Sequence, residues 1–299
     1  MLLALYRDFN SQEELDLEYC PEARLGDPRA FDKIIEQRGL WAEAAKKELT
    51  ERQSDIHYGP TCLEKMDFYP AVPGGPVMIF IHGGYWFDAR LKKENYIWIA
   101  KGFNQAGVNV FIMDYQICPV VTIDEITRQC RAAVAFVYRN ADRFHVDRDR
   151  IHVTGNSAGG HLTAMVAITD WTGEYGLPKD TIRSCYPISG LYDLEPFRWT
   201  WLQPKLQLTG QQIRRNSPMF LVRENLPPML ISWGEDESGE FWRQSREFGA
   251  ACVAKGNSVI LHVQTGCNHS SAISGFSDPG SEFFRIVLQH MQTVWSSPN

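Results

Sequence analysis

Residues 150–160 read RIHVTGNSAGG. The first five have the β-branched and apolar character of a strand, and residues 161–168 have that of a helix. Between them lies a G-x-S-x-G motif, whose glycines suit a strand-to-helix turn too tight for side chains. Such a turn exposes the Ser157 hydroxyl at a helix N-terminus, where free N–H groups favour developing negative charge. The motif predicts that Ser157 is a nucleophile; the alternative is a glycine-rich turn without chemistry.

Short β-rich runs alternate with helical patterns from about Val77 onward. This alternation predicts an α/β fold with a mostly parallel sheet and helices on both faces. The predicted strands are 77–81, 108–114, 150–154, 182–188, 229–233 and 258–263. Helical spacing of Ile126, Cys130, Ala133, Val134 and Val137 predicts a crossover helix. Further helices are expected after Ser157, over about 240–254 and over 281–294.

A second motif follows the strand predicted at 77–81 and reads His82-Gly83-Gly84-Tyr85-Trp86. Lipases and esterases of the α/β-hydrolase fold place an oxyanion loop of the HGGG type at this position. We expect backbone N–H groups of Gly84 and Tyr85 to act with that of Ala158 as oxyanion donors, with Gly83 as the substitute. His82 is expected to brace the loop. Candidate substrate contacts are Trp86, Asn156 and His82.

A nucleophilic serine needs a general base and an acid that orients it, and in this fold the acid precedes the histidine. His269 lies in the loop after the last predicted strand, whereas His262 and His290 fall within a strand and a helix. The acid is expected after the strand 229–233, where Glu235, Asp236 and Glu237 are adjacent. Spacing from Gly234 favours Glu237, whereas residue type favours Asp236.

Two regions interrupt the alternation of strands and helices. Residues 1–60 are polar and partly helical, with Trp41, Ala42, Ala45 and Leu49 on one helical face, and residues 193–227 are rich in proline and tryptophan. Either region can lie over the sheet as a cap or pack against the outside of the core. We predict a single domain over 1–299 that includes both.

Composition limits the classes of function. The chain has 44% hydrophobic residues, a net charge of −6 and no run of Lys and Arg that could track phosphates, so we expect no nucleic-acid partner. No apolar run approaches the length of a membrane span, and no metal-binding or cofactor motif is present, so no membrane partner, metal or cofactor is expected. Seven scattered cysteines predict a reduced, cytoplasmic protein. Cys267 lies two residues before His269 and is either a lining residue of the site or a small buried one.

Over nearly its whole length the chain resembles the kynurenine formamidase (arylformamidase) family of α/β-hydrolases. The specific matches are 82–86, 155–162, 169–171, 190–194, 217–218, 237–241 and 243–245, and the weak ones are 18–21 and 58–59. The match around Glu237 supports that residue as the triad acid. Two positions differ, because the family often has histidine where Asn156 stands and aspartate where Glu237 stands.

The resemblance implies hydrolysis of N-formyl-L-kynurenine to kynurenine and formate through a Ser-His-acid triad. An aryl carbamate, another aryl amide or an ester remains open as the substrate. The rival hypotheses are a general carboxylesterase and a non-catalytic receptor on a hydrolase fold. The apparent triad disfavours the receptor. A small aryl molecule is the expected partner, and the sequence leaves a homodimer open.

Overall fold

The computed structural model describes residues 4–296 and contains a sheet of eight strands. The strands are β1 (Gln53–His57), β2 (Lys65–Tyr69), β3 (Gly75–Ile81), β4 (Asn109–Met113), β5 (Val146–Asn156), β6 (Ser184–Ile188), β7 (Met229–Gly234) and β8 (Val259–Gln264). Their order across the sheet is β1-β2-β4-β3-β5-β6-β7-β8. The β1–β2 and β2–β4 pairs are antiparallel, and the other pairs are parallel. The predicted α/β-hydrolase architecture is confirmed.

Strands β3 and β4 are buried along their whole length, because helices cover both faces of the sheet. Along β3, Val77, Ile79 and Ile81 belong to one hydrophobic core, and Met78 and Phe80 belong to the other. This division follows the two-residue period of a strand, in which successive side chains point to opposite faces. The two cores hold the sheet in place between the helical layers.

Eleven α-helices lie within residues 4–296. They are α1 (Gln12–Tyr19), α2 (Ala30–Glu48), α3 (Ile97–Gln105), α4 (Ile123–Arg139), α5 (Ala141–Phe144), α6 (Ala158–Ala167), α7 (Trp171–Tyr175), α8 (Gln203–Leu206), α9 (Gly210–Asn216), α10 (Gly239–Ala254) and α11 (Glu282–Ser296). Buried residues of α4, α6 and α10 contribute to the first core, and those of α3 and α11 contribute to the second. No helix in this part of the chain is long and apolar enough to cross a membrane.

Strands β1 and β2 and helix α3 are among the elements that the sequence prediction did not include. Strand β1 is polar and largely exposed, so it lacks the apolar signal of a strand. Strand β2 is short and joins the sheet through antiparallel contacts with β1 and β4. Helix α3 was missed as well, although its residues are mostly buried. Residues 193–227 contain short helices and contribute no strand to the sheet.

The N-terminal segment lies at the end of the sheet where the parallel strands finish. Helix α1 packs against α10, and α2 packs against α3. Between them, Pro21–Leu25 forms a short 3₁₀-helix. The Tyr19 hydroxyl donates a hydrogen bond to Glu240, and the Ser238 hydroxyl donates to the Glu18 carbonyl at 2.7 Å. These contacts attach the segment to the start of α10. Residues 1–3 and 297–299 of the predicted domain lie outside the residues that the structure describes.

Candidate active site

Ser157 occupies the sharp turn between β5 and α6. Its backbone has φ 61° and ψ −120°, a strained conformation for a residue with a side chain. The Ser157 amide donates to the Ile188 carbonyl at 2.9 Å, which fixes the turn to the neighbouring strand. A Cβ on Gly159 would collide with the carbonyl oxygens of Ile81 and His82. The glycine of the motif therefore allows α6 to start directly against β3.

Glu237 and His269 form a buried pair beside this turn. His269 Nδ1 lies 2.9 Å from Glu237 Oε2, and the Glu237 side chain has no solvent exposure. The other oxygen, Glu237 Oε1, accepts hydrogen bonds from the Ser189 hydroxyl at 2.5 Å and from the Gly234 amide at 2.8 Å. Three donors from separate loops therefore hold one carboxylate. The His269 ring also packs against Phe241, with ring centroids 4.5 Å apart.

The two neighbouring acids lie elsewhere. Asp236 is exposed, and its amide donates to the Cys267 carbonyl at 2.9 Å. Glu235 is also exposed and accepts from the Gly266 amide at 2.9 Å. Of the three adjacent carboxylates, the structure brings only Glu237 to His269. Cys267 is half-buried and does not line the pocket that contains Ser157.

Ser157 and His269 line the same pocket, which has a volume of about 20 Å³. The other lining residues are Glu22, Phe31, Ile34, Arg38, Gly83, Gly84, Tyr85, Leu91, Tyr96, Asn156 and Ser270. A volume of this size is close to that of one water molecule. The site therefore has little free space around the nucleophile.

The segment after β3 forms a loop with positive backbone angles. Gly84, Tyr85 and Trp86 have φ values of 119°, 53° and 59°. The Gly84 carbonyl accepts from the amides of Phe87 at 3.0 Å and Asp88 at 2.9 Å. Within residues 4–296, the amides of Gly84 and Tyr85 form no hydrogen bond. Two free backbone donors therefore lie on the wall of the Ser157 pocket.

The third candidate donor, Ala158, is the first residue of α6, where helix amides have no intrahelical acceptor. Gly83 brings the loop against the turn, because a Cβ there would lie 3.3 Å from Ser157 Cβ and 2.7 Å from the Asn156 carbonyl. Gly84, Tyr85 and Ala158 therefore stay the candidate oxyanion donors, with Gly83 as the substitute.

Two of the candidate substrate contacts, Trp86 and His82, lie outside the lining of the Ser157 pocket. Trp86 is wholly buried, and its indole donates to His161 Nδ1 at 3.1 Å in the core. His82 is also buried, and its ring stacks on that of Tyr115 with centroids 4.3 Å apart. The distance between His82 Nδ1 and the Gly83 carbonyl oxygen is 2.7 Å. Burial lowers the pKa of His82, which suits a bracing role. Trp86 has a positive φ, and its side chain points into the core instead of the pocket. Sequence spacing does not indicate this orientation.

The third candidate, Asn156, lies on the pocket wall. It is 3% exposed, and its buried Nδ2 has no hydrogen-bond partner within the described chain. Unpaired buried donors are rare in native proteins, so such a group is available to a bound molecule.

The sequence left open whether the N-terminal segment caps the sheet, and it did not identify Glu22 and Arg38 as the residues that line the pocket. Glu22 accepts a hydrogen bond from the Tyr85 hydroxyl, and Arg38 of α2 donates from Nη1 to the Tyr96 hydroxyl at 3.0 Å. Ser189, the donor to Glu237, was also missed. The apolar stripe of α2 indicated only which face of the helix packs on the core. It gave no signal that Arg38 of the same helix lines the pocket. Trp201 packs edge-on against Tyr85, with centroids 5.3 Å apart, and supports the loop from outside.

Comparisons with known proteins agree with this geometry. The chain is 29% identical to kynurenine formamidase of Danio rerio over 290 residues, which covers 93% of this chain and 96% of the relative. It is 27% identical to an esterase of Mycobacterium tuberculosis, over 78% of this chain and 63% of that protein.

Among solved structures, one from Silicibacter sp., assigned as a thioesterase, has a TM-score of 0.77 and 25% identity and covers 92% of this chain and 98% of its own. These relatives are hydrolases, and the chain is a hydrolase with the same fold. The family model BD-FAE matches residues 66–251. Because that match spans more than half of the sequence, the chain belongs to the BD-FAE family of α/β-hydrolases.

Proposed function

We propose that this protein cleaves a small acyl group from an aryl amide, with N-formyl-L-kynurenine as the substrate and kynurenine and formate as the products. The observation that carries the proposal is the small pocket lined by both Ser157 and His269, together with the hydrogen bond that joins His269 to Glu237. The similarity to kynurenine formamidase over almost the whole chain supports the choice of substrate. A formyl group is also the smallest acyl group, which suits the limited space beside Ser157.

The first half of the proposed reaction forms a formyl-enzyme. Ser157 Oγ attacks the formyl carbon while its proton passes to His269 Nε2, and the carbonyl π electrons move onto oxygen. The amides of Gly84, Tyr85 and Ala158 donate to this oxyanion. The C–N bond then breaks, and His269 returns the proton to the departing aryl amine.

The second half repeats these steps with water. His269 takes a proton from a water molecule, whose oxygen attacks the formyl carbon bound to Ser157. Collapse of the intermediate breaks the ester bond and releases formic acid, which ionises to formate in water, while His269 returns its proton to Ser157 Oγ. Throughout, the Glu237 carboxylate stabilises the imidazolium form of His269 and fixes the orientation of its ring.

A carboxylesterase is the second candidate, because the same machinery cleaves esters and one relative is an esterase. The two functions separate when kcat/KM is measured for N-formyl-L-kynurenine and for 4-nitrophenyl acetate with the same preparation. We expect the formamide to be the better substrate. Turnover of the ester without turnover of the formamide would instead support a carboxylesterase. Turnover of neither would contradict both proposals.

The proposal includes a cytoplasmic location. All seven cysteines lie within the described residues and are free, whereas proteins of oxidising compartments usually contain disulfides.

A further inference from the structure

Arg38 is a buried cation on the wall of the catalytic pocket. Arg38 is only 6% exposed, although α2 lies at the surface of the protein. It lines the pocket that contains Ser157 and His269, and it also lines a neighbouring pocket of about 270 Å³. Arg38 therefore stands at the boundary between the reacting groups and a larger space.

The charge of Arg38 has no counter-ion in the described chain. Its Nη1 donates to the Tyr96 hydroxyl at 3.0 Å, and its guanidinium lies 5.3 Å from the centroid of the Tyr96 ring. Within residues 4–296, no carboxylate oxygen comes within 4.0 Å of it. By contrast, exposed Arg90 pairs with both Asp88 and Asp32. A buried charge without a partner is unfavourable unless a ligand supplies the opposite charge.

The neighbouring pocket favours an anion with an apolar body. Its lining residues are Leu25, Lys33, Ile34, Gln37, Arg38, Trp41, Asn268, Ser270, Ser271 and Ser274, which include two cations and no acid. Lys33 already pairs with Asp27 at 2.7 Å, so Arg38 is the cation available in this pocket. Glu22, the acid of the catalytic pocket, is held by the Tyr85 hydroxyl and lies beyond ion-pair distance of Arg38.

We propose that Arg38 binds the carboxylate of the substrate, so that the site selects aryl amides or esters that carry a carboxylate away from the scissile bond. The planar guanidinium presents paired N–H groups that match the two oxygens of a carboxylate. This inference rests on the proposed function and extends it, because the amino-acid tail of N-formyl-L-kynurenine ends in such a group. Arg38 acts on binding and takes no part in proton transfer at Ser157.

The experiment compares two substrates that differ only in the carboxylate, N-formyl-L-kynurenine and N-formylkynuramine. With the wild-type protein, we expect kcat/KM to be about 10- to 100-fold higher for the carboxylate, mainly through KM. Arg38→Gln should reduce this preference to within about threefold, and Arg38→Lys should retain part of it. The matched control is Arg29→Gln at the start of α2, where the arginine is exposed and pairs with Glu36, and it should keep the full preference.

A second measurement requires neither the Arg38 variants nor hydrolysis of the formamide. L-kynurenine and kynuramine are tested as competitive inhibitors of 4-nitrophenyl acetate hydrolysis by the wild-type protein, and kynurenine should bind at least about tenfold more tightly. Equal inhibition constants, or a carboxylate preference that persists in folded Arg38→Gln, would overturn the role of Arg38. If kynurenine binds more tightly but the formamide is not hydrolysed, the carboxylate site stands and the proposed function is wrong. If the formamide is hydrolysed without carboxylate preference, the function stands and the Arg38 inference is wrong.

Discussion

His269 Nδ1 and Glu237 Oε2 are 2.9 Å apart, in a region where both side chains are almost fully excluded from solvent. An ionised carboxylate only accepts hydrogen bonds, so this contact places the imidazole proton on Nδ1. The lone pair of Nε2 is then free to accept the proton of Ser157. The same pair therefore sets both the orientation and the tautomer of the base.

Exchange of the carboxylate for an amide tests this pair. Glu237→Gln keeps the shape of the side chain but removes its charge and favours the wrong imidazole tautomer, so we expect kcat to fall by about 10⁴. Asp236→Asn is the matched control, because Asp236 is exposed and forms no contact with His269, and its effect should stay within about threefold. Steady-state kinetics of both variants provides the measurement. Greater damage from Asp236→Asn would contradict the pairing.

Removal of the nucleophile should separate chemistry from folding. Ser157→Ala deletes a hydroxyl that has no side-chain hydrogen bond within the described residues, so the free energy of unfolding should change little. We expect turnover to fall by about 10⁴ to 10⁶. Urea unfolding and kinetics on the same preparation test both statements. Full activity in a variant free of wild-type enzyme would rule out Ser157 as the nucleophile.

Acyl chain length should limit the substrates. The pocket around Ser157 has a volume of about 20 Å³ and is bounded by Tyr85 and Leu91, so longer chains require displacement of packed residues. We expect kcat/KM to decrease from formyl to acetyl, butyryl and octanoyl derivatives of one aryl leaving group. A rise from acetyl to octanoyl would indicate a lipase-like acyl tunnel and contradict the formamidase proposal.

Asn156 offers a test of substrate contact beside the nucleophile. Since its buried Nδ2 has no partner, Asn156→Ala loses no hydrogen bond of that group and should leave the free energy of unfolding nearly unchanged. If the amide donates to the substrate, kcat/KM should fall by about three- to tenfold. Thermal unfolding and kinetics are measured together. Strong destabilisation with unchanged kinetics would show that Asn156 is structural.

The buried histidine His161 should make stability depend on pH. Burial lowers its pKa to about 4, and its ring accepts from Trp86 through Nδ1 while Nε2 lies 2.7 Å from the Asn216 carbonyl. Between about pH 6.5 and 4 the unfolded chain takes up a proton at this position and the folded chain does not. The contribution of His161 to the free energy of unfolding is therefore fully present above about pH 6.5. It decreases on acidification by about 1.4 kcal/mol per pH unit.

The corresponding measurement is the free energy of unfolding in urea at several values between pH 7 and pH 4.5. His161→Gln should reduce the slope by about one proton, because glutamine can replace both hydrogen bonds without titrating. His57→Gln is the control at an exposed position and should keep the wild-type slope. An unchanged slope in His161→Gln would show that this histidine does not contribute to acid sensitivity.

Local sequence determined the turn at Ser157 and the order of the reactive groups along the chain. The strand, the glycines and the helix are adjacent in sequence, so steric limits on a tight turn are sufficient to predict that geometry. The positions of His269 and Glu237 followed from loops that end parallel strands, because those loops meet at one edge of the sheet. The spacing from Gly234 also identified the acid that the structure pairs with His269.

Tertiary structure alone decided which other side chains reach the pocket. Left-handed backbone angles turn Trp86 into the core, and the packing of α2 on α3 brings Arg38 to the pocket from more than 100 positions before Ser157 in the sequence. Antiparallel β1 and β2 likewise depend on pairing with β4 rather than on their own apolar pattern. Periodicity reports which face of an element is buried, but contacts between distant segments depend on how the complete set of elements packs.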